Sequence, residues 1–492
     1  MSWPIDWLWN ACMEQTVISK RTLALFHKAA KDLPGYKAFL AERGIKPDAI
    51  DTIEALLNVP VTSKKNYLTA NRIEDLIWEA DQTSALLLCA TSGSTGEPYY
   101  FPRNDKLSWQ YSRLLEDYLK SSSYGKGRTL VLIGFGMGVW IGGIITLRAF
   151  EIAGERLGEP LSILPTGYNK TEIFKALRKL SPDFDQTIIV GYPPFIKELV
   201  DEAPAEGIDL TKLHMRFLFA AEAFNETFRN YVCQKAGVQD PLLDTLNIYG
   251  SADIGAMANE TPLSILIRRL VIEYPLLYRD LFGQIEKTPT LAQYNPDFIE
   301  FEAIDNDILL SANGALPLIR YAIGDHGGVL EYDTINDLMK RYDISLETEI
   351  QQAGIAKIVN REYPFVYVYE RADLSVTLQG LNIYPEFIKE GLLQPDMTAQ
   401  FTERFTMATK NDIHHNQFLQ INLELQKGVE ANDKLKRHAL KTIETSLIER
   451  SSEFAEVAKT RNVDKLLQVV LWPNGHPRYF TPGTKQKWVE KQ

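Results

Sequence analysis

The first half of the chain alternates short apolar runs with longer stretches in which apolar residues recur every three or four positions. The runs at 129–133, 187–190 and 217–220 have the length and the β-branched or aromatic content of buried strands. The stretches at 170–180 and 194–203 have the spacing of amphipathic helices. Strands that alternate with helices predict a mainly parallel sheet with helices on both faces.

The pattern of apolar and polar residues changes from about residue 298. Runs at 298–303, 307–311 and 328–332 are short, and turn residues separate them. Short strands joined by turns favour antiparallel pairing, because a tight turn can connect only antiparallel neighbours. We therefore predict a β-rich subdomain here.

Beyond about residue 372 the chain follows a helix, strand, helix pattern, with a strong amphipathic helix at 434–450 and a strand at 466–471. The predicted fold class is thus α/β. A large N-terminal domain over 1–372 has mixed, mainly parallel sheets flanked by helices plus the β-rich subdomain. A small α+β domain over 373–492 follows it.

One segment raises the question of a membrane span. Residues 129–147 include no charged side chain, and their number is near that of a spanning helix. Five glycines between 134 and 143 interrupt the segment, which disfavours one continuous helix. We predict instead a buried strand at 129–133, a glycine loop, and an apolar helix from about Trp140.

Composition narrows the functional classes. The chain has 492 residues, 45% hydrophobic and 24% charged, which is typical of a globular protein with several domains. The formal charge of -11 argues against nucleic acid or a membrane surface as general partners, since both are polyanions. The cysteines, Cys12, Cys89 and Cys233, form no CxxC pair, and Asp6 precedes any basic residue, so neither disulfides nor a secretory signal is expected. We expect a cytoplasmic protein.

An apolar strand at 86–89 leads into a loop of hydroxyl residues and glycines that can wrap a phosphate. Glycine lets backbone N–H groups approach phosphate oxygens, and Ser and Thr add small donors. The loop is not a Walker A motif, because no Gly-Lys-Ser/Thr follows. A flexible Ser/Gly turn is the alternative. The residues concerned are Thr91, Ser92, Gly93, Ser94, Thr95 and Gly96.

Three further motifs follow this loop in order. They are NIYGSAD at 247–253, PLIRYAIGD at 317–325, and ERAD at 370–373 with GLNIYP at 380–385. Together with ATSGSTGEP at 90–98, they resemble the signatures of the adenylate-forming superfamily, which contains acyl-CoA synthetases, nonribosomal-peptide adenylation domains and luciferases.

Within the superfamily the chain is most similar to the phenylacetate-CoA ligase branch. The segments at 33–36, 44–45 and 56–64 resemble the N-terminal helices of that branch. Ala221 and Glu222 stand where the branch has Gly-Ala-Glu after a strand.

The resemblance implies a nucleotide site. Tyr249 is expected to stack on adenine, although an ordinary core tyrosine is the alternative. Asp325 is expected to accept both ribose hydroxyls, the alternative being a Gly-Asp turn pair. Arg371 is expected near the nucleotide. The implied ATP-binding residues are Thr91, Ser92, Gly93, Ser94, Thr95, Gly96, Ala221, Glu222, Tyr249, Gly250, Ser251, Asp325 and Arg371.

The resemblance also implies a catalytic set. Thr95, Arg320 and Lys485 are expected to act on the developing charge, with Lys487 the rival of Lys485 and a solvated basic tail the alternative for both. Asp253 stands where the family has a glutamate that holds Mg²⁺. A shorter carboxylate can still bind this cation, and a helix N-terminal acid is the alternative.

Asp373 is implied to be the hinge between the two domains. Glu370 stands where the family usually has glycine before the arginine, which predicts a stiffer hinge. Asp253, Glu370 and Tyr99, the last standing where many relatives have lysine, also motivate a different reading, a nucleotide-binding pseudoenzyme.

The implied activity is activation of a carboxylic acid with ATP and Mg²⁺, then transfer of the acyl group to a thiol, for which CoA is expected. The apolar segment 134–146 resembles the acyl pocket of the branch, so an aryl or other hydrophobic acid is expected. A carrier-protein thiol or an amine is the alternative acceptor. The partners are therefore small molecules or a carrier protein, and a homodimer stays open.

Overall fold

The computed structural model describes residues 18–90, 99–138, 141–283, 289–371, 375–392, 394–480 and 488–489. These residues fall into two compact units. Unit 1 takes in residues 18–90, 100–191 and 196–371. Unit 2 takes in Tyr99, residues 192–195 and the described residues from 375 onward.

The elements are numbered in chain order. The helices are α1 Lys20–Asp32, α2 Pro34–Glu42, α3 Ile53–Leu56, α4 Glu79–Gln82, α5 Asp105–Lys120, α6 Ile141–Leu157, α7 Lys170–Lys179, α8 Pro193–Glu202, α9 Glu226–Ala236, α10 Pro241–Asp244, α11 Pro262–Ile272, α12 Pro275–Phe282, α13 Tyr332–Arg341, α14 Leu346–Gln352, α15 Pro385–Leu392, α16 Pro395–Thr398, α17 Asp433–Arg450, α18 Ser452–Thr460 and α19 Val463–Leu466. The strands are β1 Thr62–Ser63, β2 Leu87–Ala90, β3 Tyr100–Arg103, β4 Thr129–Ile133, β5 Leu161–Leu164, β6 Gln186–Gly191, β7 Met215–Ala220, β8 Thr245–Ser251, β9 Gly255–Asn259, β10 Thr290–Gln293, β11 Ile299–Ile304, β12 Asp307–Ala312, β13 Leu318–Leu330, β14 Phe365–Arg371, β15 Val376–Leu378, β16 Leu381–Ile383, β17 Phe401–Asn411, β18 Gln417–Leu425 and β19 Leu467–Trp472.

Unit 1 is built on a 12-stranded sheet with the order β11-β12-β13-β14-β10-β9-β8-β7-β6-β4-β5, and β1 pairs with β13. The strands from β5 to β8 are parallel neighbours. The strands from β8 to β11 are antiparallel neighbours. The α/β fold class predicted from the sequence is confirmed, and the β-rich part continues the same sheet.

The parallel half follows the predicted pattern. All residues of β4 and β6 are buried, as expected for strands covered on both faces. The strand predicted at 129–133 is β4, and the apolar helix predicted from about Trp140 is α6. Throughout the described ranges, no helix combines the length and apolar character that a membrane crossing needs.

The antiparallel half corrects one prediction. The strands predicted at 298–303 and 307–311 correspond to β11 and β12, but the strand predicted at 328–332 is wrong in both bounds. It begins at Leu318, and Tyr332 already belongs to α13. The glycines there serve close strand packing, because a Cβ on Gly327 would lie 1.8 Å from the carbonyl oxygen of Tyr367 in β14.

Helices α11 to α14 cover this half of the sheet. Their buried side chains form one cluster with apolar residues of β10, β13 and β14. Leu263, Ile267, Leu277, Ile335, Met339, Leu346 and Ile350 are among its members. This cluster buries one face of the antiparallel half.

Unit 2 contains the sheet β17-β18-β19 and the hairpin β15-β16. The helix predicted at 434–450 is α17, which Asn432 caps by accepting from the backbone N–H of Leu435, and the strand predicted at 466–471 is β19. The long hairpin β17-β18 was not predicted. One buried cluster joins its strands to the helices, with Ile388 of α15 and Ile443 of α17 fully buried in it.

Candidate active site

A tyrosine and an aspartate from distant strands meet in unit 1. The hydroxyl of Tyr249, near the end of β8, donates a hydrogen bond to Oδ2 of Asp325 in β13 at 2.6 Å. Asp325 is buried, whereas Tyr249 is half-buried. Gly324, directly before the aspartate, has φ 88°, a conformation that glycine adopts without strain. Two of the predicted nucleotide-binding residues are therefore in contact.

This contact requires the sheet to curl. Between β8 and β13 lie β9, β10 and β14. Neighbouring strands are about 4.8 Å apart, so four steps in a flat sheet would separate the two strands by about 19 Å. Among the described residues, β10 pairs with β9 through Gln293 and Asn259.

The segment after β7 lies next to the end of β8. Asn247 of β8 donates from Nδ2 to the carbonyl oxygen of Glu222 at 3.1 Å. Ala221 has φ 71°, a left-handed conformation that costs a non-glycine residue about 1 kcal/mol or more. The structure therefore brings Ala221 and Glu222 to the same strand ends as Tyr249, and holds one of them in a strained backbone.

The predicted metal ligand, Asp253, lies on the turn between β8 and β9. Its Oδ2 accepts a hydrogen bond from the hydroxyl of Tyr321 at 2.6 Å. The hydroxyl of Ser251 accepts from the backbone N–H of Asp253 at 3.2 Å and of Ile254 at 3.4 Å. Oδ1 of Asp253 accepts no hydrogen bond from any described residue.

This arrangement fits Mg²⁺. Among the residues with described coordinates, no three His, Cys, Asp or Glu side chains cluster as a metal cage. Mg²⁺ in nucleotide sites is usually held by one or two carboxylates and the substrate phosphates, so a single oriented carboxylate with one uncommitted oxygen suits it. Asp253 is the residue that could hold it.

Arg103 is a site residue that the sequence reasoning missed. Its guanidinium, 5% exposed at the end of β3, donates to the carbonyl oxygens of Ala252 and Ile254, on either side of Asp253. The thiol of Cys89 lies beside it; burial raises the pKa of Cys89, and the charge of Arg103 opposes this increase. The sequence does show an arginine at the end of an apolar strand. It does not show that this arginine contacts Ile254, because the two residues are 151 positions apart.

Arg320 is committed to the interior. Its side chain is 2% exposed, Nε donates to Oε2 of Glu302 at 3.0 Å, and Nη2 forms an ion pair with the same carboxylate at 3.0 Å. Nη1 donates to the carbonyl oxygens of Leu56, Leu57 and Val59. These contacts join the segment before β1 to the motif in β13, and they occupy the guanidinium that was predicted to act on substrate.

The structure describes only some of the remaining predicted site residues. A Cβ on Gly250 would lie 2.6 Å from the carbonyl oxygen of Gly255, so this glycine allows β8 and β9 to approach. The backbone of Arg371 pairs with Asp325. The side chain of Arg371 lies outside the described part of the chain, as do Thr91, Ser92, Gly93, Ser94, Thr95, Gly96, Asp373, Lys485 and Lys487.

A cavity of about 140 Å³ adjoins the turn that carries Asp253. Its wall is mainly apolar and includes Ile144 and Ile145 of α6, Tyr111 of α5, and Ile254. The hydroxyl of Tyr111 is paired with Oγ1 of Thr146 at 3.1 Å. Arg103 lines this cavity and also donates to the turn, so the cavity lies next to the segment that carries Asp253.

Comparison with known proteins supplies a family resemblance. No family model matches the chain. It is 25% identical over 378 residues to a phenylacetate-coenzyme A ligase of Pseudomonas putida, a match that covers 76% of this chain and 74% of the relative. The chain is similar to the phenylacetate-coenzyme A ligases. A second phenylacetate-coenzyme A ligase, from Aromatoleum evansii, is 22% identical over 377 residues with 76% and 74% covered. The resemblance stated from the motifs is confirmed.

Solved structures support the fold that the resemblance predicts for this chain. A 2-hydroxyisobutyryl-CoA ligase in complex with 2-HIB-AMP and CoA, in the thioesterification state, superposes with a TM-score of 0.63 at 16% identity, covering 100% of this chain and 94% of that one. An open conformation of the same ligase, with the same compounds, gives 0.53 at 16% identity, covering 96% and 91%. At such identity the likeness shows the fold alone, that of an adenylate-forming ligase.

Proposed function

We propose that the chain is an AMP-forming acid–thiol ligase. It activates a carboxylic acid with ATP to an acyl-adenylate, releases pyrophosphate, and passes the acyl group to a thiol, for which CoA is the first choice. A carboxylate is a poor acyl donor because its oxygen is a bad leaving group. Joining that oxygen to AMP makes the leaving group good.

The contact between Tyr249 and Asp325 carries the proposal. It combines an aromatic ring, which can stack on adenine, with a carboxylate whose two oxygens match the vicinal hydroxyls of ribose. The tyrosine hydroxyl orients the carboxylate before ATP binds, which reduces the entropy lost on binding. We assign Ala221, Glu222 and the backbone around Arg371 to the rest of this nucleotide site.

The chemistry of the first step is electrostatic. As the acid oxygen attacks the α-phosphorus, negative charge grows on the phosphoryl oxygens. We propose that Lys485 and the loop at 91–96, with Thr95 as a donor, bind those oxygens. Mg²⁺ held by Asp253 would add charge neutralisation there. Asp373 is proposed as the hinge about which 373–492 moves between the two half-reactions.

The cavity beside the Asp253 turn supports a hydrophobic acid. Its apolar wall suits a hydrocarbon or aryl group, and it includes Ile144 and Ile145 from the segment that was expected to form the acyl pocket.

An ATP–pyrophosphate exchange screen over a panel of aryl, alkyl and hydroxy acids tests the proposal. We expect exchange that depends on one class of hydrophobic acid and on Mg²⁺. AMP release with that acid should then require CoA. Release that requires an amine or a carrier-protein thiol instead would change the acceptor. Absence of exchange with every acid, in a folded protein that binds ATP, would favour the nucleotide-binding pseudoenzyme.

A further inference from the structure

The aspartate on the β8–β9 turn is restrained at its backbone and at its carboxylate. Arg103 donates to the carbonyl oxygens of Ala252 and Ile254, the residues on each side of Asp253. Tyr321 donates to the carboxylate itself at 2.6 Å. Arg103 and Tyr321 are 5% and 1% exposed, so both restraints are shielded from water.

We propose that Tyr321 and Arg103 are positioning residues for Asp253, and that together they hold its carboxylate in the orientation that binds the cation of metal–ATP. This inference rests on the proposed function, because it concerns the metal of that reaction. In this assignment neither residue binds the cation itself. Both act through Asp253.

The length of the side chain explains the need for two restraints. An aspartate carboxylate reaches one methylene less far from the backbone than a glutamate carboxylate. A shorter arm cannot compensate for a shift of its backbone, so the backbone must be held at the right place. The two carbonyl contacts of Arg103 provide this, and the planar guanidinium sets their spacing.

The hydroxyl of Tyr321 decides which carboxylate oxygen remains for the cation. It occupies Oδ2, and Oδ1 accepts no hydrogen bond from a described residue. Hydrogen bonds to the ligands of a metal are worth about 10- to 100-fold in metal affinity. Tyr321 is itself held by strand pairing, because β1 pairs with β13 with Thr62 opposite Tyr321.

The first test is Tyr321→Phe, which removes one oxygen and keeps the ring. Mn²⁺ binding to the protein–ATP complex, followed by electron paramagnetic resonance, should weaken roughly 10-fold. ATP binding without metal should not change. The matched control is Tyr36→Phe, since the hydroxyl of Tyr36 is buried without a partner among the described residues. This control should bind Mn²⁺ like the wild type.

A double-mutant cycle separates positioning from general stability. In an Asp253→Asn background, Tyr321→Phe should add less than twofold to the loss of Mn²⁺ affinity, because the group that Tyr321 orients has already lost its charge. Arg103→Lys keeps the charge but replaces the planar fork by a single ammonium, and should also weaken Mn²⁺ binding. A thermal melt of each variant shows whether it is folded.

The outcomes distinguish this inference from the proposed function. Wild-type exchange activity with unchanged Mn²⁺ affinity in Tyr321→Phe overturns the positioning role and leaves the ligase assignment standing. A wild type that binds ATP but neither Mn²⁺ nor any acid in the exchange assay overturns both. Additive losses in the cycle would make Tyr321 a structural residue only.

Discussion

The hydroxyl of Tyr249 lies 2.6 Å from Oδ2 of Asp325, although the two residues are 76 positions apart in the chain. Tyr249 therefore orients the carboxylate of Asp325, in addition to the stacking role proposed for its ring. Replacing Asp325 with Ala should raise the ATP concentration needed for exchange sharply, because each lost hydrogen bond to a charged acceptor is worth about 1.5 to 3 kcal/mol. Tyr249→Phe should have a smaller effect, since it keeps the ring. Unchanged ATP binding in a folded Asp325→Ala variant would remove this residue from the site.

The terminal lysines can be separated by their half-reactions. Lys485→Ala should abolish most adenylation and spare thiolysis of a presynthesised acyl-adenylate, because the lysine is expected to act only in the first step. Lys487→Ala serves as the matched control and should be milder. Both rates are measured in single turnovers. A larger loss of adenylation in Lys487→Ala than in Lys485→Ala would show that Lys487 is the catalytic lysine.

Proline at position 373 tests the hinge. Proline fixes φ and has no N–H, so Asp373→Pro should hold the C-terminal segment in one arrangement. If that arrangement is the adenylating one, acyl-AMP should accumulate at a near-normal rate while transfer to CoA falls by orders of magnitude. Single-turnover assays of both steps, with a thermal melt, provide the measurement. Equal loss in both steps of a folded variant would argue against the hinge.

Arg320 is expected to matter for stability. Arg320→Met leaves the buried carboxylate of Glu302 unpaired and takes donors from three carbonyl oxygens, a change that typically costs about 3 to 5 kcal/mol of unfolding free energy. Denaturant unfolding measures this loss. The control is Arg72→Ala, which breaks an exposed pair with Glu74 and should change little. Full stability with lost exchange in Arg320→Met would support the predicted catalytic role instead.

A buried charge cluster predicts an acid dependence of stability. Burial acts to raise the pKa of Glu226, but Arg229, Arg268 and Arg269 outweigh it and lower the pKa from 4.5 to about 2. The pKa of Glu226 is lower in the folded protein than in the unfolded chain. The ionised carboxylate therefore stabilises the fold fully above about pH 4.5, and this stabilisation is lost as the pH falls towards 2. Glu226→Gln should remove on the order of 3 kcal/mol at neutral pH.

The measurement for Glu226 is the difference in unfolding free energy between wild type and variant across that pH range. The difference should shrink steadily as the pH falls below about 4.5. Glu172→Gln, which alters a half-exposed pair with Lys175, should give a small difference at every pH. A pH-independent difference for Glu226→Gln would show that its charge is not what stabilises the fold.

The sequence by itself determined several local elements of both units and the identity of several candidate residues. Residues 129–133 are an uninterrupted apolar run, and a run of this kind is buried on both faces wherever it forms a strand. The helix at 434–450, in unit 2, likewise follows from its own periodicity. Tyr249, Asp253 and Asp325 were named from motifs, because each motif is contiguous.

Only the tertiary structure decided how these residues meet and what they do. The curl of the sheet joins Tyr249 to Asp325, and β3 carries Arg103 to the Asp253 turn. The same packing pairs Arg320 with Glu302 in the interior. Local side-chain patterns record which face of an element is buried. They do not record which distant element covers it, because strand order and curvature arise from the packing of the whole sheet.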